Sequence, residues 1–435
     1  MPHARHANQC RSFFSTSPLL QLPNISSRPQ PPRRASFNKQ LASSPSTKSL
    51  LSLCKKYFGK DELWDKENLK AAVFRLGELS LGGGGKMLLL STEIDPNLDN
   101  SKILQDKTFQ QLLQKLQNLY PPISGDDSVS LIWSFAVLRL NQEICPGLDV
   151  NSLTKSLFKH DSLQENHLQP NHLPSLAYSF SLLKWSKFSF SFGVDFSKRC
   201  SLLAKLGSIA LTEVDKLNAN ELATFCFAYA RLGHAGGVWS RYDCSITNGS
   251  NLELWSACEA RMLQLLKEDE VDFKQASLFS FCLGRFAQMG VFCSQDWFEQ
   301  VSKIDWDFER STASDLIYLA WSLAVTKPQS SQTLKTWRKL LRILLPPDNH
   351  QSTLSTLSST SVLMLTWTAS SLKLPSPEDA SLTKALWSSL SSFPHLKRQE
   401  DSSKFSEGFI SKFHGLSRGA ADGAEDFLRG GEGVG

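Results

Sequence analysis

The sequence predicts an all-α protein: an α-solenoid of about seven helix-turn-helix repeats with disordered ends. Three observations predict it. A large anchor residue flanked by small ones recurs seven times in a Leu-rich stripe, at Phe74, Trp133, Tyr178, Phe227, Phe281, Trp321 and Trp367. A second helical pattern follows each copy. Pro and Gly mark the junctions: Pro121-Pro122, Pro146-Gly147, Pro328, Pro346-Pro347 and Pro375, where helices are expected to end. Such self-similarity is the mark of stacked helical units that cannot bury their apolar faces alone.

The anchor helices come first. Two copies read DSVSLIWSFAVLRL and SDLIYLAWSLAVTK, and others read NHLPSLAYSFSLLKW, NELATFCFAYARLGH and TSVLMLTWTASSLKL. Three residues after each anchor stands Gly77, Ala136, Ser181, Ala230, Gly284, Ala324 or Ser370, always small. One residue after it the side chain is again small, Arg75 excepted. Apolar residues at offsets −2, +2 and +5 lie four and three apart and so share one helical face. The spacing predicts that the small residue one turn on gives the anchor room, so that a neighbouring helix takes the ring between its side chains. A ring of this kind buries roughly 150–250 Å². The anchors are therefore core residues and carry no chemistry.

The second helices include VNSLTKSLF after Trp133, SKRCSLLAKLGSIAL after Tyr178, LELWSACEARMLQLLK after Phe227, SQTLKTWRKLLRILL after Trp321 and EDASLTKALWSSL after Trp367. Anchor spacings of 59, 45, 49, 54, 40 and 46 residues exclude a strict tetratricopeptide period of about 34. They also exclude a strict pentatricopeptide array, and oppose a one-repeat, one-base code. The longer gaps hold loops such as Ser80–Asp99 and Ala235–Asn251.

The ends differ from the array. Residues 1–60 hold ten Lys or Arg and no acid, and the first carboxylate is Asp61. RSFFSTSPLL and RPQPPRRASF suit an Arg- and Ser-rich, acid-free organellar transit peptide, with the mitochondrial matrix expected and a plastid as the alternative. The expected division is a disordered leader at 1–60, the array at 61–395 and a low-complexity tail at 396–435. Without the leader's ten cations, 37 of the 47 basic residues face 42 acidic ones, a net of −5. Any nucleic-acid affinity then has to come from a local face. No apolar run is long enough to span a membrane. Nine scattered Cys without a CxxC pair fit a reducing interior and oppose a disulfide or zinc framework.

Signals for catalysis are absent. Gly82 to Gly85 with Lys86 fails the phosphate-loop pattern, because Ser80 and Met87 stand where Gly and Ser or Thr are required. His160, His167 and His172 are spaced seven and five apart, which makes no metal face on one helix. No catalytic residue, cofactor, metal or small-molecule substrate is expected.

Basic residues give the functional signal. No acid occurs from Leu316 to Pro347, a stretch that holds Lys327, Lys335, Arg338, Lys339 and Arg342. The last four fall on one helical face, with Leu334, Trp337, Leu341 and Leu344 opposite. A weaker line lies six residues after the anchors, at Arg139, Lys184, Lys327 and Lys373, with Arg231 and Arg285 four after theirs. Stacking would align these along one edge, although cations near helix C-termini are favoured by about 0.3–1 kcal/mol without any ligand.

The recurring helix of LIWSFAVL and TFCFAYARLG resembles the repeats of FAST-kinase-domain-containing proteins, octotricopeptide-like proteins and RNA-editing substrate-binding complex subunits, over roughly residues 60–395. That resemblance implies organellar RNA work: processing, stability, editing or translation. Many such proteins end in a small nuclease-like RAP domain, and no strand-rich, acid-bearing segment of that type follows Leu390 here. The expectation is a non-catalytic protein holding single-stranded organellar RNA along a concave face. Its partners would be that RNA and the proteins of a ribonucleoprotein complex, with no membrane. The alternative is a protein-interaction scaffold in such a complex or in ribosome assembly.

Overall fold

The computed structural model describes residues 32–80, 101–118, 125–138, 169–182, 196–232, 250–288, 294–308, 311–326, 331–344 and parts of 357–368. Among the described residues every regular element is helical, and the protein is all-α. The chain forms two compact units, residues 1–199 and 200–435.

The first unit holds α1 (Pro32–Ala42), α2 (Thr47–Tyr57), α3 (Lys66–Ser80), the single turn α4 (Ser101–Leu104), α5 (Lys107–Asn118), α6 (Gly125–Leu138) and α7 (His172–Leu182). Helices α1, α3, α6 and α7 pack each on the next, while α2 and α5 pair with one another and back onto α3. In the second unit, after α8 (Phe196–Glu213) at the boundary, come α9 (Ala219–Leu232), α10 (Ser250–Lys267), α11 (Phe273–Gln288), α12 (Asp296–Lys303), α13 (Ala313–Val325) and α14 (Ser331–Leu344). There α9, α11 and α13 make one row and α10, α12 and α14 a second, joined as hairpins.

Four anchor helices, those of Phe74, Phe227, Phe281 and Trp321, start alike, because the residues nine and six before the anchor cap the first turn. Asn218 and Glu221 exchange two hydrogen bonds of 3.0 Å, and Asp272 and Gln275 exchange bonds of 2.8 and 2.9 Å. Thr312 and Asp315 form the same box, and Asp65 accepts from the Asn68 N–H at 2.9 Å. Each box satisfies backbone donors that the helix start would otherwise leave unpaired. Those four anchors therefore stand at the same distance from their helix starts.

The apolar stripe faces the second row. Phe279 meets Trp297 of α12 edge-on at 4.9 Å, and Phe286 stacks on Trp255 of α10 at 4.3 Å. Tyr229 lies 5.4 Å from Trp255 and donates its hydroxyl to the Leu203 carbonyl at 2.8 Å.

Anchor rings point along the row instead. The ring of Trp133 sits on Gly77, where a Cβ would come within 3.1 Å of Cζ3; the ring of Trp321 sits on Gly284, at 3.0 Å. The small residue three after an anchor thus receives the ring of the next repeat, not that of its own. Close by lie the Cα atoms of Ser134 and Ser322, 3.5 and 3.3 Å from those same positions. The small residue one after the anchor is where the next backbone makes its approach. Ser134, Ser179, Cys282, Ser322 and Thr368 are polar at that site, and each bonds the carbonyl four residues back. A buried hydroxyl or thiol there is satisfied by its own helix. Ring contacts run Phe74–Trp133 at 4.9 Å, Phe227–Phe281 at 6.1 Å and Phe281–Trp321 at 5.3 Å.

Residues 32–60 correct the sequence reading, which gives them to a disordered leader. They fold as a hairpin that buries Phe37, Leu41, Leu50 and Cys54. Phe37 lies 5.1 Å from both Tyr57 and Trp64, and the Arg75 guanidinium of α3 donates to the Ser44 carbonyl at 3.1 and 2.9 Å. Helix α1 takes the place on α3 that a preceding anchor helix would take. The expected leader segment 1–31, the tail 396–435 and the anchor Trp367 lie outside the described residues.

Candidate nucleic-acid interface

Helix α14 buries Trp337, Leu340, Leu341 and Leu344 and packs on α12 and α13. Leu334 is half-buried. Gln332 and Thr336 donate to the Ser302 carbonyl at 3.1 and 3.2 Å, tying α14 to the last turn of α12. That docking leaves Lys335, Arg338, Lys339 and Arg342 together on the solvent side, all exposed.

Lys339 already has partners. Its ammonium pairs with Asp305 at 2.7 Å and lies 5.0 Å from the centre of the Phe308 ring. The Lys339 hydrogen bond and charge hold the Asp305 carboxyl below the usual carboxylate range. Both groups are exposed, so the pair is weak and exchangeable. The neighbouring second-row helices carry mixed charge: α12 exposes Asp296 and Glu299 with Lys303 in its last turn, and α10 exposes Glu253 with Lys267 in its last turn.

Arg285 belongs to the anchor row. It is half-buried on α11 beside Phe281 and Lys274, also half-buried, and the Tyr318 ring of α13 lies 4.5 Å from Phe281. Burial lowers the pKa of its guanidinium. Arg231 holds the equivalent place in α9, which packs on α11. Arg285 and the α14 stripe thus stand in different rows of the unit. Arg139, Lys184, Lys327 and Lys373 lie outside the described residues, as do Gly82 to Lys86, His160 and His167.

One buried charge cluster lies between α3 and α6. Lys70 pairs with Asp127 and, at 2.8 Å, with Glu67, while Lys66 reaches Asp127 at 2.6 Å. Burial pushes the Lys70 pKa down, but hydrogen bonds and charge from Asp127 and Glu67 outweigh it and hold the ammonium above the usual lysine value. The charges neutralise one another across successive anchor helices, which is a registry role. Cys226 and Cys282 are buried, and burial pushes both thiols well up, so neither is a nucleophile near neutral pH. Among the described residues no three His, Cys, Asp or Glu side chains are grouped to hold a metal ion, and no helix is long and apolar enough to cross a membrane.

Lys48, Lys55, Lys56 and Lys60 are exposed on the first hairpin, and sequence reasoning missed them by giving them to a leader. The available signal was Ser46, whose side chain caps α2 by accepting from the Ser49 N–H at 3.2 Å, followed by Leu50 and Cys54 four residues apart. The chain matches no protein-family model, and none of the curated proteins matches it.

Proposed function

We propose that this protein is a non-catalytic, RNA-binding α-solenoid acting in mitochondrial RNA processing, stability, editing or translation. The observation that carries the reading is the α14 stripe, four exposed cations on a helix without a carboxylate. Lys335, Arg338 and Arg342 would meet successive phosphates, and Lys339 would exchange Asp305 for one. The stacking of hairpins within each unit supports a repeat architecture, in which each hairpin contacts mainly its neighbours. The likeness of the anchor motif to organellar repeat proteins supports the compartment and the RNA class.

A second reading, a protein scaffold in a ribonucleoprotein complex, is favoured by the carboxylates that α12 exposes beside the stripe. Fluorescence anisotropy of the full chain with a labelled single-stranded oligoribonucleotide tests the first reading. Binding should weaken steeply with salt. Reversing Lys335, Arg338 and Arg342 to Glu should lessen the log–log salt slope by about 2, at about 0.7 per phosphate contact. Absence of wild-type binding, with partners from organelle extract surviving ribonuclease, would establish the scaffold instead.

A further inference from the structure

We propose that the first hairpin, α1–α2 with the turn that follows it, is a second docking surface for the backbone of single-stranded RNA. This rests on the RNA reading above and adds a site in the other compact unit. Residues 32–60 hold seven Lys or Arg and no Asp or Glu. Since they are folded against α3, these cations belong to the array. Only three of the 47 basic residues precede residue 32, so the chain from there carries 44 against 42 acidic, a net of +2 where the sequence reading has −5.

The cations form a patch with aromatic residues in it. Lys48, Lys55 and Lys56 are exposed along α2, and Lys60 is exposed in the turn beyond. Lys56 and Lys60 stand 5.3 and 5.4 Å from the centre of the half-buried Tyr57 ring. Phe58, also half-buried, stacks on Trp64 at 5.2 Å, with the Lys115 ammonium 5.5 Å from its centre. The carboxylates nearby are Asp61, paired with Lys115 at 2.5 Å, Glu62, and the half-buried Asp106, which lies close enough to act on the Cys54 thiol of α2. Phosphate-binding cations interleaved with ring faces are what a sequence-tolerant single-strand site uses.

The bland explanations are weaker. Lys55 and Lys56 lie in the last turn of α2, where the helix dipole favours cations, but Lys48 is in the first turn, where it disfavours them. An anionic membrane would be the other polyanion. Surface-lying helices insert an apolar face into the headgroup boundary, whereas Leu50 and Cys54 of α2 are buried within the protein. The exposed large hydrophobic residues among those described are Leu252, Ile304 and Ile343, none of them on the hairpin.

The test replaces Lys48, Lys55, Lys56 and Lys60 by Gln in the full chain and titrates labelled oligouridine across salt. Affinity near 100 mM salt should fall about tenfold or more, and the log–log slope should shallow by about 2–3. Ultraviolet crosslinking of the wild-type chain should place uridine on the peptide containing Tyr57 and Phe58. Unchanged affinity in this variant, while the α14 reversal weakens binding, would overturn the hairpin site and leave the RNA reading intact. A wild-type chain that binds no oligouridine would overturn both. Loss of binding to phosphatidylserine vesicles with RNA affinity unchanged would make the occupant a membrane and also overturn the proposal.

Discussion

Gly284→Ala should destabilise the protein, although the same change in an ordinary helix interior stabilises by about 1 kcal/mol. The new methyl would lie 3.0 Å from Cζ3 of Trp321 and 3.3 Å from the Cα of Ser322. Trp321 is buried and the Ser322 contact is backbone, so neither yields without moving α13 away from α11. Overpacking of that kind costs about 1–3 kcal/mol, which leaves a net loss of about 1 kcal/mol after the propensity gain. Trp321→Ala alone should cost about 3–5 kcal/mol. In that background the ring is gone and Gly284→Ala should become stabilising, by up to about 1 kcal/mol. The predicted coupling is thus about 2 kcal/mol, within the range for residues in contact. Gly207→Ala is the control, because its methyl would meet the flexible end of Leu254 at 3.3 Å and should be neutral or better. Urea unfolding followed by far-UV circular dichroism gives the global figure. Repeat arrays open in parts, so hydrogen exchange of α11 and α13 amides gives the local one. Gly284→Ala that stabilises equally with and without Trp321 would refute ring-on-glycine stacking as the reason for the small residue.

Lys70→Met should destabilise by about 3 kcal/mol, because Asp127 keeps Lys66 but loses its buried partner, and adding Asp127→Leu should recover most of the loss; equal stability of both variants would remove the registry role. The raised Lys70 pKa means that folding holds its proton more tightly. Its contribution is complete below the unfolded lysine value of about 10.4 and is lost as pH rises through the higher native one. Wild type should therefore show an alkaline decline in stability that the double variant partly lacks, measured as melting temperature against pH. Cys54 is fully buried, and burial pushes its thiol up to about 12, so a thiol reagent near neutral pH should label it slowly in the folded chain. Deleting residues 32–60 should lower the melting temperature by uncovering α3, and any leader cleavage should fall upstream of Pro32. Rapid Cys54 labelling, or a deletion without effect, would return the segment to a leader.

The anchor helices were legible because each needs the same three things: a ring, a small residue for a neighbour's ring, and a stripe for a partner helix. That demand repeats at fixed offsets whatever the loop lengths. Which ring each small residue receives was not legible. Offset +3 fits either the same helix or the next, and only Trp133 on Gly77 and Trp321 on Gly284 decide it. The capping pairs nine and six before the anchors were present in the sequence as Asp65/Asn68, Asn218/Glu221, Asp272/Gln275 and Thr312/Asp315, and would have fixed four helix starts. The hairpin α1–α2 escaped notice because α1 carries no flanked anchor, and composition pointed to a leader. Of the candidate site, the α14 face followed from spacing alone. The Asp305 partner of Lys339 did not, since it comes from a loop 34 residues earlier.

If the cations of α2 and α14 hold RNA, stability and binding fall on different parts of this architecture. In α7 every residue from Leu173 to Ser181 is buried, and in α9 every residue from Glu221 to Ala230. Such helices hold their units together but have almost no surface to offer a partner. Among the described residues, the surface left for a partner lies on the second row, on the hairpin at the start of the first unit, and on the few half-exposed anchor-row groups such as Phe281, Tyr318 and Arg285. Exposed cations on α2 and α14 lie on the far side of their helices from the buried stripes, so neutralising them removes charge without opening a cavity. Substitutions at anchors and their small partners should accordingly move melting temperatures first and affinity only through unfolding. Those on α2 and α14 should move salt-dependent affinity with melting temperature nearly constant. A residue that moved both together, in either set, would mean that the binding surface runs through the stacked rings themselves.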